Sequence, residues 1–224
     1  SDVNLILNNV DITCSDNSPI YIMDAKHTII TVPENTLNTL TDGNSYTYKN
    51  TNDTEPDATL FSKDDLSIKG AGKLTINANY NDALTSKDAL KIEGCNIVIN
   101  SKNHGIKGRD YLVIIDSEIN VTSENDGIKS TNDKDIDLGY IKLTNNTINI
   151  NAVDEAISAI NNITIIEGTL NIDTENNGIK SEKSIDFQSG VVVVKTLDDD
   201  FIAPVIKGTE KAIITVNGSA YDLN

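Results

Sequence analysis

The chain of 224 residues is long enough for one solenoid domain with a continuous core. Lys and Arg number 18 against 34 Asp and Glu, a net charge of −16. That balance argues against nucleic acid and anionic membrane surfaces and suits a protein that holds cations. No apolar run reaches the length of a membrane span, and no signal peptide is visible at Ser1.

Residues 1–57 form the less regular end. Leu5-Ile6-Leu7, Val10-Asp11-Ile12, Tyr21-Ile22 and Thr28-Ile29-Ile30-Thr31-Val32 read as strands of the first coils and a cap. Solenoid ends need atypical units, because a bare terminal coil exposes strand edges. Thr41 to Asp57 is polar, contains Asp42-Gly43 and Pro56, and lacks alternation, so it reads as a projecting loop. Cys14 and Cys95 fall several coils apart, too far to bridge, and Cys95 reads as a small turn residue.

Residues 58–196 are regular. A four-residue phrase recurs as Asn81-Asp82-Ala83-Leu84, Asn103-His104-Gly105-Ile106, Asn125-Asp126-Gly127-Ile128, Asp154-Glu155-Ala156-Ile157 and Asn176-Asn177-Gly178-Ile179. The step is 22 residues, except that a 7-residue insertion lengthens the one from Asp126 to Glu155 to 29. A fixed period in the twenties signals a stacked solenoid. Four further apolar positions recur in each copy, for example Leu90, Ile92, Ile97 and Ile99. Each pair is spaced by two, the strand period, so each coil holds short strands with five apolar columns pointing inward. The fold class expected is all-β, a parallel β-helix, right-handed by the general handedness of parallel crossovers. Residues 197–224, with Pro204, read as a partial coil of frayed register and the second cap of a single domain.

In a β-helix, equivalent positions stack at about 4.8 Å. An outward column is expected of Asp82, His104, Asp126, Glu155 and Asn177, flanked by Asp154 and a run of asparagines. A second is expected of Asp64, Asp88 and Asp110, then Asp133 or Asp135. Stacked carboxylates must be screened, share protons or coordinate a cation, and Ca²⁺ with oxygen ligands suits them. The insertion Ser130–Tyr140 places Asp133, Asp135 and Asp137 at alternate positions before Gly139, a partial likeness to an oxygen-ligand calcium loop. Candidate metal ligands are therefore Asp82, Asp88, Asp126, Asp133, Asp135, Asp154 and Glu155. Lys107, Lys129 and Lys180 follow the acidic column by three residues. They read as charge compensation or as anchors for uronate carboxylates. His104 reads as a hydrogen-bonding surface histidine. With Trp 0 and Phe 3, no broad aromatic platform is visible, so Tyr80, Tyr111 or Tyr140 would assist any sugar contact.

The phrases Phe61-Ser62-Lys63-Asp64-Asp65-Leu66-Ser67-Ile68, Tyr80 to Asp88 and Asn125 to Asp133 resemble a family of secreted bacterial carbohydrate-binding β-helix proteins related to polysaccharide lyases. The resemblance covers about residues 3–195. It implies an extracellular, calcium-binding right-handed β-helix that binds cellulose and acidic sugars such as polygalacturonate. Structural relatives are pectate lyases that use calcium and a lysine base. Asp-Gly becomes Asp82-Ala83, His104-Gly105, Glu155-Ala156 and Asn177-Gly178 here, and no lysine is marked as a base. The expected function is a non-catalytic, calcium-binding module for plant cell-wall polysaccharide. Two alternatives stand beside it, a calcium-dependent uronate lyase and a structural or adhesive solenoid.

Overall fold

A computed structural model gives the fold; residues 1–223 are described, and Asn224, the last residue of the expected second cap, lies outside them. Three stacks of parallel strands wind around one apolar core. The first stack includes Asp2–Ile6, His27–Thr31, Asp65–Lys69, Ala89–Glu93, Tyr111–Ile115, Ser184–Phe187 and Val205–Gly208. The second includes Asp11–Cys14, Leu37–Asp42, Lys73–Ala78, Asn96–Ser101, Glu118–Ser123, Gly190–Thr196 and Ala212–Val216. Two long strands, Tyr140–Ala152 and Ile163–Thr174, bend through both stacks. The third stack is an eight-stranded sheet of short strands, among them Asp82–Ser86, Ile106–Gly108, Ile128–Ser130, Ile157–Ala159 and Ile179–Ser181. This is a parallel β-helix. Among the described residues, no helix is long and apolar enough to cross a membrane.

The repeat register holds residue by residue. Leu66, Leu90, Leu112, Ile141, Ile163 and Ile185 pair in succession in the first stack and are all at most 1 % exposed. Leu74, Ile97, Ile119, Ile148, Leu170 and Val192 pair in succession in the second, and Leu84, Ile106, Ile128, Ile157 and Ile179 in the third, all of them buried. The turn from first to second stack needs a left-handed residue. Gly94, Asp116, Asn145 and Glu167 occupy successive copies with φ of 64°, 50°, 51° and 59°. Glycine takes this conformation freely and Asp or Asn tolerate it, whereas Glu is strained there.

The ends differ from the expectation. Register begins at the first strand, since Asp2 pairs with His27 and His27 with Asp65; the early coils are irregular in length, not in stacking. Thr41 and Asp42 belong to a strand, so the projecting segment spans residues 43–57. It is anchored by Tyr46, whose hydroxyl donates to Asp42 at 2.8 Å and whose ring stacks on Tyr80 at 4.4 Å. Residues after 196 are not frayed. Phe201 pairs with Ile179, Val205 with Ser184 and Ala212 with Gly190, after which an antiparallel turn pairs Val216 with Ser219. Phe187, Phe201 and Tyr221 pack edge to face at 5.1 and 5.0 Å and plug this end. At the other end Asp2–Ile6 is exposed along its whole length and pairs on one edge only, with His27–Thr31.

Candidate metal centre and lysine column

The acidic column lies inside, not outside. Asp82 and Asp126 are fully buried, Glu155 and Asn177 nearly so, and His104 is 13 % exposed, not a surface histidine. Neighbouring coils and a lysine explain this. Asp126, for example, sits in the bend just before the strand Ile128–Ser130, where it stacks between His104 and Glu155 and is covered by Lys129. The small residue after it is a packing requirement. A Cβ on Gly127 would lie 2.5 Å from Ile150 Cγ2 and 2.7 Å from the Ala156 carbonyl oxygen.

Burial obliges each carboxylate to find partners. Asp82 Oδ1 accepts from Asn103 Nδ2 at 2.8 Å and from the His104 backbone N–H at 3.2 Å. Its Oδ2 accepts from Thr85 Oγ1 at 3.1 Å and forms an ion pair with Lys107. Lys129 Nζ lies 2.5 Å from Asp126 Oδ2, and Lys180 Nζ donates to Glu155 Oε1 at 2.7 Å. The lysines occupy the outward position one strand residue past the aliphatic, then fold their long stems back over the acids.

Asp126, Asp154 and Glu155 each bring a carboxylate oxygen within 4.8 Å of the other two. Burial pushes Asp126 up to about 6, with Lys129 opposing and the hydrogen bond to Glu155 reinforcing. Burial also raises Glu155, but Lys180, Asp126 and Asn177 overcome it and hold this carboxyl at about 2. One proton therefore serves two facing carboxyls below about pH 6, carried by Asp126. Burial lowers His104 to about 4, with Lys129 and Lys107 adding to the effect against Asp82, so it is neutral at pH 7. Three carboxylate oxygens this close form a hard donor set, which fits Ca²⁺ better than a metal that prefers nitrogen or sulfur.

The other candidate ligands stand elsewhere. Asp82 is held by Lys107 two coils away from Asp126. Asp88 stacks with Asp64 and Asp110 in the second column; burial first, then Asp110, Asp65 and Asp64, raise its pKa. The fourth member of that column is Asn132, not Asp133 or Asp135, and its Nδ2 donates to Asp110 Oδ1 at 2.6 Å. Buried Asn132 also pivots the insertion, its Oδ1 accepting from the Lys134 and Asp135 backbones at 2.9 and 3.0 Å. Asp133 and Asp135 consequently face solvent and do not join Asp126, Asp154 and Glu155. Tyr140 stacks on Tyr111 at 5.2 Å in the first stack, apart from the lysines of the third. The pairs of Lys107, Lys129 and Lys180 with Asp82, Asp126 and Glu155 fit the charge-compensation reading of their constant three-residue offset.

A family model described as carbohydrate-binding domain-containing protein matches residues 1–222. The chain belongs to that family. A carbohydrate-binding domain-containing protein of Acetivibrio thermocellus is 39 % identical over 97 residues, 43 % of this chain and 34 % of that protein. The chain thus spans about a third of the length of this curated relative. Among solved structures, the polysaccharide lyase-like protein from C. thermocellum, as its gadolinium derivative, superposes with a TM-score of 0.76 at 29 % identity. The match covers 96 % of this chain and 78 % of that one. This carbohydrate-binding domain therefore shares a lyase-like β-helix scaffold with a neighbour of moderate sequence identity.

Proposed function

We propose that this carbohydrate-binding domain is a non-catalytic, extracellular module that holds calcium and plant cell-wall polysaccharide, both cellulose and acidic chains such as polygalacturonate. The observation that carries the calcium reading is the convergence of Asp126, Asp154 and Glu155 within 4.8 Å. These residues would hold the ion, which when bound supplies positive charge to the carboxylates and to any uronate that meets it. The state of the lysines supports the non-catalytic reading. A proton-abstracting lysine needs a lowered pKa. Lys180 is instead pushed up by its hydrogen bond to Glu155, and Lys107 and Lys129 are engaged by Asp82 and Asp126.

The test combines two readouts. Calcium should raise the melting temperature and EDTA lower it, by an amount equivalent to about 2.7 kcal/mol at a hundredfold excess over the dissociation constant. Asp154→Asn with Glu155→Gln should remove the difference, while Asp133→Ala with Asp135→Ala should leave it intact. Insoluble cellulose and immobilised polygalacturonate should retain the protein without release of unsaturated uronate. A melting curve indifferent to both calcium and chelator would remove the metal from the reading. A steady calcium-dependent rise in unsaturated product, lost in Lys129→Ala, would replace the binding module with a lyase.

A further inference from the structure

The outward face of the second stack carries a ladder of side-chain amides. Asn149 Nδ2 donates to Asn120 Oδ1 at 2.9 Å, and Asn171 Nδ2 donates to Asn149 Oδ1 at 2.8 Å. Val98 precedes the ladder in the same column and Val193 follows it. Two residues along the strands, Asn100 Nδ2 donates to Asn77 Oδ1 at 3.0 Å, and Thr122 and Asn151 continue that second column. A primary amide has two N–H donors and two acceptor lone pairs. Within the ladder Asn149 gives one donor and one lone pair to its neighbours and keeps the others for a ligand.

Two shallow depressions of about 380 and 490 Å³ lie on this face and share Thr122 and Asn151 on their border. Their charged residues are paired with each other, Lys195 with Asp173 at 2.8 Å and Lys102 with Glu124. On a chain of net charge −16, this groove is locally balanced. It offers a ligand no unpaired cation and no unpaired anion. Its hydrogen-bonding groups recur at the strand spacing of about 4.8 Å along the helix axis. That spacing is close to the advance per sugar in an extended β-1,4-linked pyranose chain, so successive coils meet successive sugars with the same groups.

We infer that this amide groove is a binding site for an uncharged β-1,4-linked glycan laid along the helix axis, one sugar per coil, with Asn120, Asn149 and Asn171 as its specificity-determining residues. The inference rests on the proposed polysaccharide binding and divides it. Neutral chains lie on the second stack, and acidic chains use the calcium centre of the third. Carboxylates along a polyuronate would meet lysines already paired with Asp173 or Glu124, so they gain no net ion pairing there, and a protein of net charge −16 repels them.

Titration calorimetry with cellohexaose, alongside retention on immobilised polygalacturonate, tests this. Wild type should bind cellohexaose equally in calcium and in EDTA and with little dependence on salt. Asn149→Ala with Asn171→Ala should weaken cellohexaose about tenfold or more, through loss of several ligand hydrogen bonds, and leave polygalacturonate retention unchanged. Far-ultraviolet circular dichroism and the melting temperature check folding, and the single variant Asn149→Ala serves if the double variant is unstable. Equal cellohexaose affinity in folded variants and wild type would overturn the site while leaving polysaccharide binding intact. So would polygalacturonate binding without any cellohexaose binding. Loss of both ligands together in a folded variant would overturn the division between stacks. Binding of neither ligand by wild type would sink this inference and the proposed function together.

Discussion

Asp126 is the residue on which the interior charge balance turns. Its pKa in an unfolded chain is about 3.9, and in the fold it rises to about 6. The folded state therefore holds this proton more tightly, so the contribution is stabilising below about pH 4 and is lost as pH rises through about 6. Glu155 runs the other way. Held at about 2, it contributes stability above its unfolded value and loses it as pH falls toward 2. In EDTA, the melting temperature of wild type relative to Asp126→Asn should fall between pH 4 and pH 6.5. With excess calcium the same difference should grow with pH, because the ionised carboxylate becomes a ligand. A difference that is flat with pH in both buffers would contradict the assignment of the shared proton. Glu167 offers a simpler test. Its side chain is exposed while its backbone sits at φ 59°, a position Gly94 fills in an earlier copy. Glu167→Gly should gain about 0.5–1 kcal/mol in chemical denaturation, the relief of left-handed strain exceeding glycine's entropy cost.

Within one element, the three-residue strand Ile128–Ser130 shows what period two implies. Ile128 is fully buried and Lys129 half-exposed. Ile128→Asp should cost more than about 4 kcal/mol, since it places an unpaired carboxylate in the core. Thr122→Ser, on the exposed face of Glu118–Ser123, should stay within about 0.5 kcal/mol. Comparable losses at the two positions in urea denaturation would contradict the register. This part of the fold was legible in sequence because Leu90, Leu112, Ile141, Ile163 and Ile185 recur at fixed spacing and a core tolerates few substitutes there. The burial of the acidic column was misread. A carboxylate suggests solvent unless a counter-ion is known to lie above it, and Lys129 closes over Asp126 only once the coil is formed. The insertion was misread for a related reason. Its three aspartates resemble ligands in a string, yet Asn132 sets their direction by turning inward to Asp110. The amide ladder left no periodic apolar trace, because its asparagines alternate with the core residues that were being counted.

At the scale of the whole molecule, coils touch only their neighbours, so stability accumulates along one axis. Hydrogen exchange should be fastest in Asp2–Ile6, which has one paired edge and no buried face, and slowest in the central strands such as Ile106–Gly108 and Ile128–Ser130. Uniform protection from first coil to last would refute that gradient. The opposite end should resist opening, since Phe201 sits between Phe187 and Tyr221. Phe201→Ala should therefore cost about 3 kcal/mol and speed exchange first in Val205–Gly208 and Ala212–Val216. The unequal ends give the molecule a polarity under tension. Pulled along its axis, the chain should peel coil by coil from the Asp2–Ile6 end, in uneven steps over the early coils and in similar steps once the regular coils are reached, while the aromatic plug keeps the far end closed. A domain that lengthens in small steps from one side would yield gradually under load, instead of failing all at once.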